Sequence, residues 1–110
     1  MDIEIETIHE RINRGDYFIL SHAVTHGLKE GFAPCDIVTA VLNGKIIEQY
    51  PAAQRVLVCG RVELMPNVSI YLHVVCECAD PFSVALVTAY VPDEKQWETP
   101  PSARRRKSRK

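Results

Sequence analysis

The hydrophobic pattern of this 110-residue chain changes at Gly44, and that change limits the fold more than any other feature. Before Gly44, apolar residues recur at spacings of three and four, which is typical of amphipathic helices. After Gly44, runs rich in Val, Ile, Leu and Tyr are separated by Pro, Asn and Asp, which is typical of strands joined by turns. The sequence therefore predicts helices first and a β-sheet second.

Three helices are predicted in the first part of the chain, over about residues 2–14, 21–30 and 34–43. Each range has the start and stop signals of a helix: acidic residues, a serine or a proline at its beginning, and a glycine just after its end. Ser21 is placed to cap the second helix. The stretch 17–20 between the first two helices is predicted to be a short extended link.

Four strands are predicted in the second part, over residues 45–50, 55–62, 69–79 and 83–91. The connections between them are too short for a parallel crossover, so the sheet should be an antiparallel meander. The predicted fold is an α+β domain in which three N-terminal helices pack on one face of a four-stranded antiparallel sheet.

Charge is distributed very unevenly along the chain. Residues 1–103 carry seven Lys and Arg against 14 Asp and Glu, whereas the last seven residues carry six Lys and Arg. Residues 100–110 contain too few apolar side chains to offset the entropy of ordering them. We therefore expect one domain over residues 1–99 and a disordered basic tail over 100–110. The tail either binds nucleic acid or another polyanion by counterion release, or only keeps the chain in solution.

Several classes of protein do not fit this sequence. No apolar run approaches the ~18 residues of a membrane span, and the first six residues are acidic where a signal peptide is basic and then apolar. A cytoplasmic protein without membrane association is predicted, with its four scattered cysteines reduced. His22 and His26 have the spacing of a helical zinc pair but no evident third ligand, so we assign no metal, disulfide or cofactor.

Alternation along the predicted strands divides their side chains between two faces of the sheet. The face toward the helices is predicted to hold Val56, Val58, Val62, Leu72, Val74, Cys76, Cys78, Ala85, Val87, Ala89 and Val91. The opposite face, called the open face, is predicted to hold Arg55, Cys59, Arg61, Tyr71, His73, Val75, Glu77, Leu86, Thr88 and Tyr90. Glu48 and Tyr50 share a face, but the isoleucines beside Glu48 leave both faces possible for them.

The residue types on the open face suit acid–base chemistry on a phosphodiester. A histidine with a pKa near 6.5 can move a proton at neutral pH. Arginine can hold a phosphate with its planar fork of donors, and tyrosine can stack on a base or donate a hydrogen bond. A second interpretation stays open, in which His73 and Tyr90 only complete cross-strand pairs and His22 is satisfied by the backbone.

Five ordered blocks of sequence carry a family resemblance. They are residues 8–23 (IHERINRGDYFILSHA), 36–51, 58–61, 72–75 (LHVV) and 87–93 (VTAYVPD), the last followed by Trp97. Together they resemble the bacterial and archaeal domain of unknown function 4258, over about residues 5–98. The resemblance implies a compact fold similar to RelE-type toxins, which are small α+β domains that in many cases cleave or bind RNA.

The same resemblance implies a toxin-like, RNA-binding protein, in its most specific form a metal-independent endoribonuclease. In that interpretation His22 and His73 are the acid–base candidates and Glu48 is an orienting carboxylate. The implied substrate contacts are Arg61, Thr88 and Tyr90. We expect His22, His73 and Tyr90 to converge on one pocket.

Two kinds of partner are implied by the resemblance. One is RNA, and the other is a small zinc-finger, antitoxin-like protein, because members of the family look like the toxin-side partners of such proteins. The alternative to an enzyme is a non-catalytic interaction module, in which the open face or the first helix docks a partner protein.

Overall fold

The computed structural model describes residues 2–98 and 100–104. Three α-helices come first: α1 (Ile5–Asn13), α2 (Ser21–Glu30) and α3 (Pro34–Asn43). The bounds of α2 and α3 agree with the sequence prediction, and α1 is shorter than predicted at its start. The α+β class of the fold is thus confirmed.

The ends of α2 show which local signals determine its length. Leu20 occupies the N-cap position with an extended backbone, and no side chain caps the helix, so the predicted Ser21 cap is wrong. Ser21 is instead the first helical residue. At the other end Gly31 adopts a left-handed conformation with φ of 92°, which glycine reaches without steric cost.

Five strands form one sheet in the order β1-β5-β4-β3-β2. They are β1 (Tyr17–Ile19), β2 (Lys45–Tyr50), β3 (Arg55–Met65), β4 (Val68–Glu77) and β5 (Val84–Tyr90), with a 3₁₀ turn at Pro51–Ala53 between β2 and β3. Strands β2 to β5 are the predicted antiparallel meander. The predicted link 17–20 supplies β1, which pairs parallel to β5. The sheet is therefore mixed and five-stranded: the four predicted antiparallel strands are present, and the fifth was missed because a three-residue strand is too short to show alternation.

The main core lies between the three helices and one face of the sheet. It holds Ile8, Ile12, Ala23, Phe32, Ile37, Ala40, Val41, Val56, Val58, Val62, Leu72, Val74, Cys76, Val84, Leu86 and Ala89. The faces predicted for β3 and β4 are confirmed by this set. Alternation therefore places Arg61 and His73 on the open face, away from the helices.

A β-bulge in β5 exchanges the faces of the residues that precede it. Two successive residues of β4 pair with Thr88 and Leu86, so Val87 has no partner. Leu86 is consequently in the main core and Val87 is half-exposed, which is the reverse of the predicted assignment. Thr88 and Tyr90 follow the bulge and keep the predicted open face.

Gly60 is required where β3 crosses α3. A Cβ atom added at Gly60 would clash with the backbone carbonyl of Ala40. We expect Gly60→Ala to push the helix from the sheet and to lower the free energy of unfolding by about 2 kcal/mol or more, measured by urea denaturation. Thr25→Ala, at an exposed position of α2, is the control and should change it by less than ~0.5 kcal/mol. Equal stability of the two variants would contradict this account.

The chain folds back over the open face after β5. Trp97 and Arg104 form an antiparallel bridge, and the amide of Glu98 donates to the carbonyl of Ala103 over 2.9 Å. We call residues 97–98 and 100–104 the C-terminal turn. Trp97 is only 3% exposed, and Pro101 is buried as well. This turn gives the open face a small covered region of its own.

The C-terminal turn differs from the predicted tail. Residues 100–104 belong to the predicted disordered segment, yet they contact the sheet, because Pro101 accepts a hydrogen bond from His73 and Arg104 pairs with Glu48. Residues 105–110, which carry the rest of the basic charge, lie outside the described residues. For them the disorder stays a prediction.

Candidate functional site

The pairing of β2 with β3 determines the face of Glu48, which the sequence left open. Ile46 pairs with Val58 of the main core, whereas Glu48 pairs with Leu57, so a bulge at Ile47 lies between them. Leu57 is one residue from Val58 and lies on the other face. Glu48 and Tyr50 therefore lie on the open face, together with His73 and Tyr90.

His73 is the buried centre of the open face, with no exposed surface. Its Nε2 lies 2.6 Å from the carbonyl oxygen of Pro101, and its Nδ1 lies 3.2 Å from the hydroxyl of Tyr90. Because a carbonyl can only accept, Nε2 carries the proton and donates it, and the neutral ring accepts from Tyr90 at Nδ1. The Trp97 ring meets the imidazole edge-on, with 4.3 Å between centroids.

The environment of His73 favours its neutral form. Burial is the main cause and lowers the pKa of His73, while the hydrogen bond to Pro101 and the charge of Glu48 act in the opposite direction. Burial likewise raises the pKa of the Tyr90 hydroxyl, which keeps its proton at neutral pH. We call His73, Tyr90 and Trp97 the inner layer. Its members are neutral, and the rings of Tyr90 and Trp97 both contact the ring of His73.

A charged group lies above the inner layer. The guanidinium of Arg104 donates from Nε to Oε2 of Glu48 over 2.7 Å and from Nη2 to Oε1 over 3.1 Å. The hydroxyl of Tyr50 donates to the same Oε1. The guanidinium carbon lies 4.6 Å from the centroid of the Trp97 ring, a cation–π contact. We call Glu48, Tyr50 and Arg104 the outer cluster.

The outer cluster is both ionised and accessible. Hydrogen bonds from Arg104 are the largest cause that lowers the pKa of Glu48, so the carboxyl is charged at neutral pH. Burial beside this carboxylate raises the pKa of Tyr50, which stays protonated. The side chain of Arg104 is 54% exposed and that of Glu48 is 23% exposed, while Tyr50 is 37% exposed. A carboxylate, a guanidinium and a phenol can therefore meet one ligand from solvent, whereas His73 cannot while Pro101 covers it.

The six residues predicted for the site fall into separate places. His73 and Tyr90 form a cross-strand pair in the inner layer, and Thr88 is half-buried on the same face. Glu48 lies in the outer cluster, next to this pair. Arg61 is exposed and lines a neighbouring cleft of about 750 Å³.

His22 does not join the other predicted site residues. It is exposed on α2, whose Ala23 packs in the main core, on the face of the sheet opposite to His73. The His22 ring stacks on that of His26 at 6.2 Å between centroids. His26 in turn contacts the carbonyl of Ala89 and the carboxylate of Glu30, each at 2.8 Å. The expected convergence of three residues is thus seen only for His73 and Tyr90.

Sequence reasoning missed Tyr50, Trp97, Pro101 and Arg104 as parts of the site. The available signal was Trp97, a large apolar side chain in a polar segment after the last strand, since such a residue needs a surface to cover it. Pro100 and Pro101, taken as signs of disorder, instead build the turn that brings Arg104 back to the sheet.

Residues 2–98 and 100–104 contain neither a cluster of metal ligands nor a membrane-spanning helix. In that part of the chain no group of three or more His, Cys, Asp or Glu is arranged to hold a metal ion. None of the described helices is long and apolar enough to cross a membrane. All four cysteines are free thiols, with Cys59 and Cys76 buried on opposite faces of the sheet.

Acid should destabilise the protein through His73. An unfolded histidine has a pKa of about 6.5, and burial lowers this value in the folded protein. As the pH falls below about 6.5, the unfolded chain binds a proton that the folded chain does not, so the free energy of unfolding decreases. We expect urea denaturation to give a lower value at about pH 5.5 than at about pH 7.5.

Two variants assign this pH dependence to the right histidine. His73→Gln should show a smaller decrease than the wild type, because the residue that binds the proton is gone. His22→Gln removes an exposed histidine, and its free energy of unfolding should decrease between the two pH values as much as that of the wild type. Glu48 adds its own acid sensitivity only below its ordinary pKa of 4.5, outside this pH range. A His73→Gln curve parallel to the wild type would contradict the account.

In a comparison with known proteins, the chain matches a family model described as "Domain of unknown function (DUF4258)" over residues 19–91. The chain belongs to the DUF4258 family. The matched segment runs from the end of β1 through β5, so the DUF4258 domain contains Glu48, His73 and Tyr90 and ends before Trp97 and Arg104. No curated protein and no solved structure matches. For this DUF4258 protein, the likeness to RelE-type toxins therefore stays a prediction.

Proposed function

We propose that this protein cleaves single-stranded RNA and that the outer cluster is its reacting group. The observation that carries the proposal is the meeting of an ionised Glu48, the Arg104 guanidinium and the Tyr50 hydroxyl on one accessible patch of the open face. A base, a phosphate ligand and a hydrogen-bond donor are what transfer of a phosphodiester to a neighbouring hydroxyl needs. Arg104 supplies the positive charge, so the reaction does not require a metal ion.

Substrate binding changes the state of Glu48. A phosphodiester competes with the carboxylate for Arg104, because the guanidinium fork fits both anions. When Arg104 moves to the phosphate, the main cause of the lowered pKa of Glu48 is removed. Glu48 then becomes a stronger base at the moment when the substrate is in place. Tyr50, which still donates to Glu48, keeps the carboxylate oriented.

The reaction is an internal transfer of the phosphoryl group. Glu48 takes the proton of the ribose 2′-hydroxyl, and the 2′-oxygen bonds to the adjacent phosphorus. The bond from phosphorus to the 5′-oxygen breaks, and that oxygen takes a proton from water. The hydroxide left behind is neutralised by the proton held on Glu48. The products are a 2′,3′-cyclic phosphate and a 5′-hydroxyl end, with no net proton released.

His73 acts in this proposal as a positioning residue. It holds Trp97 edge-on, and the Trp97 ring in turn lies under the Arg104 guanidinium. Its hydrogen bond to Pro101 fixes the turn that carries Arg104. Direct acid–base catalysis by His73, the role suggested by its residue type, would require the C-terminal turn to leave the sheet first.

We expect RNA affinity to come mainly from the basic chain end that begins at Arg104. Residues 1–103 have a net charge of about −7, and the six basic residues of the chain end begin with Arg104 itself. Because RNA association depends on neutralising phosphates, we expect binding to weaken steeply as salt increases. The basic residues next to Arg104 thus supply affinity while the sheet supplies the reacting groups.

A second function is favoured by the complete burial of His73. In this function the open face, with His73 packed beneath the C-terminal turn, is a docking surface and the protein is a non-catalytic interaction module. Its predicted partner is then a small zinc-finger, antitoxin-like protein. The experiment that follows separates this function from the first.

Purified protein is incubated with a 5′-labelled single-stranded RNA of mixed sequence in excess EDTA. We expect the RNA to be shortened, and a DNA of the same sequence to stay intact because it lacks the 2′-hydroxyl that attacks. Intact RNA after long incubation at low salt would contradict the proposed cleavage and favour the interaction module. Cleavage of both strands at equal rates would contradict the mechanism.

A further inference from the structure

A cleft of about 750 Å³ lies beside the outer cluster, between the end of α3, strands β2 to β4 and the C-terminal turn. This volume is in the range of sites that hold small organic ligands. Its polar walls include Asn43, Lys45, Arg61, Ser69, Tyr71 and Ser102. No residue of the outer cluster or of the inner layer lines the cleft. Cys59, which pairs with His73 of the inner layer, does line it.

Two cations give this cleft an affinity for anions. Lys45 and Arg61 are exposed, and neither forms an ion pair within the described part of the chain. Lys45 pairs across the strands with Cys59, which lies two residues from Arg61 on the same face of β3. Glu63 also lines the cleft and balances part of this charge. The site therefore suits an anion that also has neutral groups to bind, rather than a bare ion.

Tyr71 provides a surface for an aromatic group next to the cations. It pairs directly with Arg61 across β3 and β4 and is half-buried. A base that stacks on an aromatic side chain gains about 1–3 kcal/mol, and any base can do so because each has a π-face. A phosphate near the cations and a base near Tyr71 are the two ends of a nucleotide.

The cleft lies next to the proposed reaction site. Cys59 lines the cleft and pairs with His73 of the inner layer. Pro100 and Ser102 also line it, on either side of the Pro101 that covers His73. Along β2, Lys45 and Glu48 are separated by about 10 Å. A short stretch of single-stranded RNA can reach from the outer cluster into the cleft.

We infer that the cleft binds one nucleotide of the RNA next to the cleaved bond, with Lys45 and Arg61 on its phosphate and Tyr71 against its base. The identity of the ligand as RNA rests on the proposed function, whereas recognition of a nucleotide by these three residues does not. The shared chemistry is a phosphorylated nucleoside, whose source is an RNA strand or a free mononucleotide.

The first experiment measures the binding of uridine 5′-monophosphate by isothermal titration calorimetry. We expect the double variant Lys45→Ala with Arg61→Ala to bind it at least about tenfold more weakly than the wild type. Tyr71→Leu should weaken the binding of uridine 5′-monophosphate but leave the binding of inorganic phosphate unchanged. Arg55→Ala is the control, because Arg55 lies on β3 outside the cleft and pairs with Glu77. Equal loss in the control, or no binding to the wild type, would overturn the inference.

Failure of this inference and failure of the proposed function give different results. Glu48→Gln should bind uridine 5′-monophosphate like the wild type even if it cleaves nothing, and nucleotide binding without RNA cleavage supports the cleft alone. If the wild type cleaves RNA but binds no nucleotide, only the inference about the cleft is overturned. The double variant should also raise the KM for RNA with kcat unchanged. An unchanged KM would overturn the inference that the ligand of the cleft is part of an RNA strand, and would identify the ligand as a free mononucleotide.

Discussion

Glu48→Gln should reduce the rate of RNA cleavage by roughly two to four orders of magnitude, as expected when a general base is removed. The amide keeps the size of the side chain and one oxygen that can accept from Tyr50, but it cannot take the proton of the 2′-hydroxyl. Single-turnover cleavage of a labelled RNA measures the effect. Circular dichroism of the variant should match the wild type, because the carboxylate lies outside the core.

Glu77→Gln is the matched control for this variant. Glu77 is also a strand carboxylate on the open face, and it accepts from Arg55 over 3.1 Å as Glu48 accepts from Arg104. It lies outside both the outer cluster and the inner layer, so its loss should leave the rate within about a factor of two, since exposed ion pairs contribute little. A Glu48→Gln rate equal to that of Glu77→Gln would contradict the role given to Glu48.

His73→Ala should lower the free energy of unfolding by about 2–4 kcal/mol. The structure buries the ring completely, so its removal leaves a cavity under Trp97 and takes a partner from both Pro101 and Tyr90. Each of these losses carries a cost of the order of 1–3 kcal/mol, and they overlap.

Urea denaturation measures this loss, and fluorescence identifies where it occurs. Trp97 is the one tryptophan of the chain, so its emission reports on the C-terminal turn alone. We expect a red shift of that emission in His73→Ala before global unfolding begins. His22→Ala, at an exposed position, should change stability by less than ~0.5 kcal/mol and leave the emission unchanged. Unaltered stability and emission in His73→Ala would show that the turn does not depend on His73.

Hydrophobic period was sufficient to predict most of the fold. The bounds of α2, α3 and β2 follow from clear stop signals, and the faces of β3 and β4 follow from alternation, because the residues in question are paired without a shift. What alternation cannot show is a one-residue insertion in the pairing. Each of the bulges at Ile47 and Val87 moves the residues on one side of it to the opposite face of the sheet. For this reason alternation assigned Leu86 to the wrong face and could not assign Glu48 to either face.

Two members of the inner layer, His73 and Tyr90, could be predicted from the sequence, whereas Trp97 and the outer cluster could not. His73 and Tyr90 lie on adjacent strands, so their pairing follows from the meander and its register. The positions of Trp97 and Arg104 depend instead on a turn whose composition is that of a disordered segment. A few specific contacts, to His73 and Glu48, hold that turn on the sheet, and such contacts leave no periodic signal in a sequence.

The central claim is that Glu48 activates the 2′-hydroxyl of RNA, and the chemistry of the new RNA ends tests it most directly. Mass spectrometry of the fragments formed in excess EDTA identifies those ends. The account predicts a 2′,3′-cyclic phosphate on the upstream fragment and a 5′-hydroxyl on the downstream fragment. A 3′-hydroxyl with a 5′-phosphate would show that water is the nucleophile, and would contradict the account.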